Sequence, residues 1–409
     1  MSKRQKTLVL TWGLIWLSIG ALAGLVFLVA AVESDWRLSL AVMAPLFAGM
    51  IGGGVVAFSA LRALGKARAW AFRLPPAWAL AGGFVMALAV GLGLWHADVS
   101  KAFLGPIFVA LAAALAPLAV VSWIVGQQSG AVNARRGWTS FGLGATAAAS
   151  AAYLLNTLLS AAVLFLIFGL VETLQPLAEE LLTALEFGTL TGELLSPWFL
   201  VTLVEIAVIA PLVEELIKPL PLLPLLKRIT SQRDALLLGV LAGAGFAAVE
   251  NLLYTALVGP AWGGVLAMRV MGSALHSFGT GLMAVAWWRL LRREPGAAKM
   301  WARNYGLAVG AHALWNGTCV VAATVANAWF RGWEVELLGV TDAVLLVSLL
   351  AAEGIGLLVA LRALTRRLEP ADEKALPLIG STERLIAIWG LVCLIVLLPV
   401  GLGVLRTVW

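Results

Sequence analysis

Charge is what this chain is short of. Only 12% of its 409 residues are charged, about half the share of an average soluble domain. That scarcity excludes a soluble globular protein, because apolar runs of about 20 residues or more recur from one end to the other. Cysteine is scarce too. The two present, Cys319 and Cys393, both lie inside apolar runs, which excludes a disulfide framework and suits small buried residues. No His-Glu-x-x-His motif occurs, so the commonest zinc-protease signature is missing. No convincing internal repeat is present either. The net charge of +6 is spread over short basic clusters between apolar runs, not gathered into the patch that nucleic acid requires.

What is there reads as an all-α, polytopic transmembrane helical bundle. Backbone polar groups in lipid must be satisfied internally, and these apolar segments are long and continuous, unlike the short alternating strands of a barrel. About eleven spans are expected, over 7–32, 38–60, 77–95, 102–125, 139–171, 203–226, 235–258, 263–290, 302–328, 341–361 and 385–405. Every second connection is basic: Lys3 to Lys6, Arg62 to Arg73, Arg135 and Arg136, Lys227 to Arg233, Arg289 to Arg303, and Arg362 to Arg367. The alternation puts the N-terminus inside. The run from Thr7 to Val32 is longer than a signal-peptide core and reads as a retained first span. The long connection from Glu172 to Pro197 carries leucines at helical spacing. It reads either as an amphipathic helix on the outer surface or as a solvated cap.

Three regions follow: an accessory N-terminal bundle of four spans over 1–138, a core over 139–330, and a closing helix pair over 331–409. Spans one to four carry almost no charge within them. The core carries four polar places, each costly inside a bilayer, where a single charged side chain near the centre costs about 3 kcal/mol or more.

The first is Glu214-Glu215-x-x-Lys218, bracketed by Pro211 and Pro219. At helical spacing Lys218 faces either carboxylate, and such a pair can present one ionised general base. The second is Phe246-x-x-x-Glu250-Asn251, preceded by Gly239, Gly243 and Gly245, a small-residue face that permits close helix packing. The third runs from Arg269 through Ser273 and His276 to Gly279 and Gly281; Arg269 and His276 share a helix face. The fourth is His312-x-x-Trp315-Asn316, where His312 and Asn316 stack one turn apart and can both donate to a developing oxyanion. Each alone has a bland alternative as a packed, hydrogen-bonded core residue. Their clustering in consecutive spans does not, and two of the three histidines lie deep within it, while His96 belongs to a loop beside Asp98. A shared site requires the sixth span to continue through its prolines to about Leu226, so that Glu214 and Glu250 lie at one depth.

Taken together these motifs resemble the PrsW family of glutamic-type intramembrane proteases, in a superfamily with type II CAAX prenyl endopeptidases and Abi proteins. The resemblance covers Ile206 to Asn316. It implies hydrolysis of a membrane-anchored protein substrate by glutamate-activated water, with first-site cleavage of an anti-sigma factor as one such reaction, in a bacterial inner membrane. By position, Glu214 and Glu215 supply the base, His312 and Asn316 the oxyanion hole, and His276 and Glu250 assist. Lys218, Phe246, Asn251, Arg269, Gly281 and Trp315 support them. CAAX enzymes have histidine where this chain has Glu250, which puts their substrate class in doubt here. Metal dependence stays open: no cofactor is demanded, yet Glu214, Glu250, His276 and His312 offer a donor set that zinc accepts. Two other classes also stay open. One is an ion-coupled carrier, since intramembrane Glu, His and Arg build proton relays; the other is a silent immunity or scaffold protein of the same fold.

Overall fold

The computed structural model describes residues 3–67, 71–98, 100–126, 133–184, 194–259, 262–330 and 340–368. These residues are almost wholly helical, with no named strand among them. In chain order the helices are α1 (Lys3–Val32), α2 (Trp36–Ala41), α3 (Met43–Phe47), α4 (Gly54–Leu64), α5 (Ala77–His96), α6 (Leu104–Gly126), α7 (Ala134–Leu143), α8 (Ala149–Ala184), α9 (Pro197–Val204), α10 (Ala210–Ile217), α11 (Leu223–Leu226), α12 (Gln232–Val258), α13 (Trp262–Leu291), α14 (Ala297–Phe330) and α15 (Val340–Arg367). One-turn π segments join α3 to α4, α7 to α8 and α9 to α10.

Among the described residues, 7 helical stretches are long and apolar enough to cross a membrane, fewer than the eleven expected. The differences have local causes. Proline at 211, 219, 221 and 224 divides the sixth span into α9, α10 and α11, since each proline removes a backbone donor. α13 has the length, but Arg269, Ser273, His276, Ser277 and Thr280 dilute its apolar character. α15 stands where the tenth span was expected, and the segment 385–405, like Cys393, lies outside the described residues. Of the leucines expected to line a surface helix after Glu172, Leu174, Leu177 and Leu181 belong to α8, and residues 185–193 lie outside the described residues. α8 runs unbroken to Ala184 through Pro176, with Leu174, Leu177 and Leu181 exposed along it.

α12 is the axis of the bundle. Ser231 caps its start by accepting from the Asp234 N–H, and 94% of its most apolar window is buried inside the protein. The reason is its run of small residues. A Cβ on Gly239 would meet the Thr280 carbonyl of α13 at 2.5 Å, and one on Gly243 would strike the His276 carbonyl. On another face, a Cβ on Gly245 would strike the Phe141 carbonyl of α7. Backbones this close are the usual benefit of small residues between membrane helices. They bring Glu250 and Asn251, further along α12, within reach of α13. Helices of the N-terminal region share this core: Ala113 of α6 and Phe246 of α12 lie in one apolar cluster.

Candidate active site

The carboxylate pair is held by a helix that is broken on purpose. In the π segment Glu205–Ile209 the Ala210 N–H bonds the Glu205 carbonyl. The Ile206 carbonyl therefore loses its ordinary partner, and Pro211 has no N–H to replace it. Asn316 Nδ2 of α14 supplies the missing bond, 2.8 Å from Ile206 O. Insertions of this kind recur at functional sites; here it fixes α10, with Glu214 and Glu215, against α14. Pro219 then ends α10 directly after Lys218.

All the central side chains are buried: Glu214, Glu215, Lys218, Glu250, Arg269, His276 and His312. Lys218 Nζ lies 2.7 Å from Glu215 Oε1 and 3.0 Å from Glu214 Oε2. It also lies 2.9 Å from His276 Nδ1 and 4.3 Å from the centre of the Phe246 ring. His312 Nδ1 is 2.9 Å from Glu215 Oε1, while its Nε2 is 3.9 Å from Glu214 Oε2 and has no hydrogen-bond partner. The two imidazoles meet edge to face at 5.2 Å.

Behind His276 stands a second layer. Glu250 Oε2 lies 2.6 Å from His276 Nε2 and 2.6 Å from Arg269 Nη2. Arg269 Nε donates to Asn251 Oδ1 at 2.9 Å, its guanidinium covers the Tyr254 ring at 4.1 Å, and Asn251 Nδ2 donates to the Ala113 carbonyl at 3.3 Å. Glu214 and Glu250 thus belong to one network, joined through Lys218 and His276, as a shared site requires.

For neutral rings, the hydrogen-bond partners assign the tautomers. An ionised carboxylate only accepts and an ammonium only donates. Glu215 therefore takes the Nδ1 hydrogen of His312, and Glu250 faces an N–H at His276 Nε2 while Lys218 donates to Nδ1. His312 Nε2 is left without a hydrogen-bond partner, 3.9 Å from Glu214 Oε2, while His276 Nδ1 is covered by the Lys218 ammonium. Pairing a carboxylate with the far nitrogen of a ring is how proteins orient metal-ligating histidines.

Not every expected residue joins the cluster. Asn316 serves the Ile206 carbonyl with one of its two amide hydrogens. Trp315 is buried but packs with Leu275 and Leu350. A Cβ on Gly281 would meet Leu236, so this glycine serves the α12–α13 crossing, whereas one on Gly279 would strike Glu215 Oε2. Ser273 Oγ bonds back to the Arg269 carbonyl, and His96 is exposed at the end of α5. Two contributors were missed. Asn156 of α8 donates from Nδ2 to Glu214 Oε1 at 3.1 Å; a lone asparagine in an apolar span was the available signal. Tyr254, one turn from Glu250, was the other.

The donor set fits a metal ion. Ligand atoms of Glu214, His276 and His312 lie within 4.8 Å of one another; a tetrahedral ion with bonds of about 2.1 Å holds its ligands about 3.4 Å apart, a side-chain adjustment away. Glu250, a fourth expected ligand, lies outside this set; its Oε2 faces His276 and Arg269. Two imidazoles and one carboxylate also match a catalytic zinc set with one open position.

Comparison with known proteins gives one family. Residues 135–351 match the model of the PrsW family intramembrane metalloproteases, more than half of the chain. No curated protein and no solved structure matches.

Proposed function

Because the chain belongs to the PrsW family of intramembrane metalloproteases, we propose that it hydrolyses a peptide bond of a membrane-anchored protein within the bilayer. The observation that carries the reading is the pair of oriented histidines: His276 is held by Glu250 and His312 by Glu215, and both rings lie with ligand atoms within 4.8 Å of a Glu214 oxygen. Glu214, His276 and His312 would hold a divalent ion, and zinc suits that donor set best. When bound, the ion supplies a water that is acidic near neutral pH and polarises the substrate carbonyl. Glu215 is the proton carrier. Its Oε1 is fixed by Lys218 and His312, while its Oε2 has no hydrogen-bond partner. Oε2 takes the proton from water and returns it to the leaving amine. Glu250 and Arg269 set the tautomer and position of His276. Burial of the whole cluster excludes bulk water and makes a segment already in the membrane the natural substrate. A single-span anti-sigma factor of a bacterial inner membrane is the first substrate to try.

Purified chain in lipid should cleave such single-span proteins, and the Glu214→Gln, Glu215→Gln double variant should not. Fragments from both proteins would move the chemistry elsewhere. A metal-free, glutamate-type reaction has one observation in its favour: Lys218 stands on two of the three donor atoms. Metal content decides between them, since active protein carrying far less than one ion per chain would retain only that reading.

Gly279 gives a sharper test of Glu215. A Cβ there would strike Oε2 and lie 3.0 Å from Cδ of a side chain pinned at its other oxygen. Gly279→Ala is expected to lower kcat by about 10²-fold, the usual consequence of a displaced catalytic group, with metal content unchanged. Wild-type turnover in this variant would show that Oε2 is not the working oxygen.

A further inference from the structure

Lys218 is more than a partner for two acids. Its ammonium contacts Glu214 Oε2 and His276 Nδ1, two of the three atoms that would ligate the metal, and leaves His312 Nε2 alone. An ammonium and a divalent cation cannot share those atoms in a dry site, where like charges repel strongly. Lys218 also has somewhere to go. Glu215 Oε1 at 2.7 Å and the Phe246 face at 4.3 Å both lie outside the ligand set, and its four-carbon stem is flexible.

Building on the metal reading above, we propose that Lys218 is a resident counter-ion that competes with the metal. Without metal it neutralises Glu214 and covers the His276 lone pair, which keeps the buried carboxylates paired. Metal binding displaces the ammonium onto Glu215 and Phe246. The site therefore binds metal more weakly than its ligands alone would, and Lys218, so near the acids, acts as a brake on loading rather than as a ligand support.

The test is zinc affinity, measured by competition with a fluorescent chelator on chelator-stripped protein at fixed pH. Wild type is compared with Lys218→Met and Lys218→Gln. Both variants are expected to bind zinc at least about tenfold tighter, as removal of a competing cation in a low-dielectric site implies. Their metal-free thermal transitions should fall, and zinc should raise those transitions by more than it raises the wild type's. Equal or weaker zinc binding in both variants would overturn the proposal and make Lys218 a support for the ligands. If Lys218→Met does not fold, Lys218→Gln still decides, because its amide retains a bond to Glu215. If no form binds zinc, this inference and the metal reading fall together, while the cleavage assay judges the protease separately.

Discussion

Replacing Glu215 by glutamine is expected to lower kcat by about 10² to 10⁴-fold, the usual worth of a positioned general base, and to leave one metal ion per chain in place. Glutamine keeps the shape of the side chain, and its carbonyl oxygen can still accept the His312 Nδ1 hydrogen. What it loses is a basic oxygen at the position of Oε2. Glu214→Gln should behave differently. The amide is a poor ligand, so metal content should fall along with activity, although the bond from Asn156 to Oε1 can be kept. The two neutral substitutions at adjacent positions thus separate a proton carrier from a ligand by metal analysis alongside a single-turnover assay. Loss of metal from Glu215→Gln with retention in Glu214→Gln would reverse the assignment. Normal turnover in both would remove the pair from the chemistry.

Much of this site was legible before any coordinates. The cost of charge in a bilayer made Glu214, Glu215, Lys218, Glu250, Arg269, His276 and His312 stand out, and all of them meet in one buried network. Helical spacing was enough for Lys218, which reaches both carboxylates as positions three and four apart allow. The small-residue run before Phe246 was readable as a close helix crossing, and it is one.

The rest depended on information that spacing does not carry. Pro211 announced a break in the helix, but only the three-dimensional register shows that the orphaned Ile206 carbonyl is met by Asn316. The same register decides that Gly279 and not Gly281 faces Glu215. Asn156 is the one asparagine of α8, a helix whose apolar side chains mostly face outward, and nothing in its own neighbourhood points to Glu214. The number of spans is not fixed by the described residues, since 385–405 lies outside them. Hydropathy cannot distinguish a proline-broken segment from a straight one, and a helix that brings several polar side chains into the cluster, like α13, loses apolar character for that reason. The proposed division of labour between Glu214 and Glu215 rests on which oxygen each partner occupies, which spacing does not carry.

Truncating Glu250 is expected to have the largest effect on stability. Its carboxylate is 2.6 Å from both Arg269 Nη2 and His276 Nε2, so Glu250→Ala leaves a buried guanidinium with, among the described residues, Asn251 Oδ1 and the Tyr254 ring as partners. Breaking a buried pair from one side costs about 3–5 kcal/mol, to be read from thermal or denaturant unfolding in detergent. Arg269→Met in the same chain should restore much of that loss, because it removes the unpaired charge and keeps an apolar stem of similar length. The double variant should still bind zinc more weakly than wild type by about 10 to 100-fold, since His276 has lost the carboxylate that orients its ring. A double-mutant cycle separates the two consequences: stability should be strongly coupled between the positions, and metal affinity should track Glu250 alone. Glu250→Ala that unfolds like wild type would show that Arg269 has another counter-charge. A double variant with wild-type zinc affinity would show that His276 holds its orientation without Glu250.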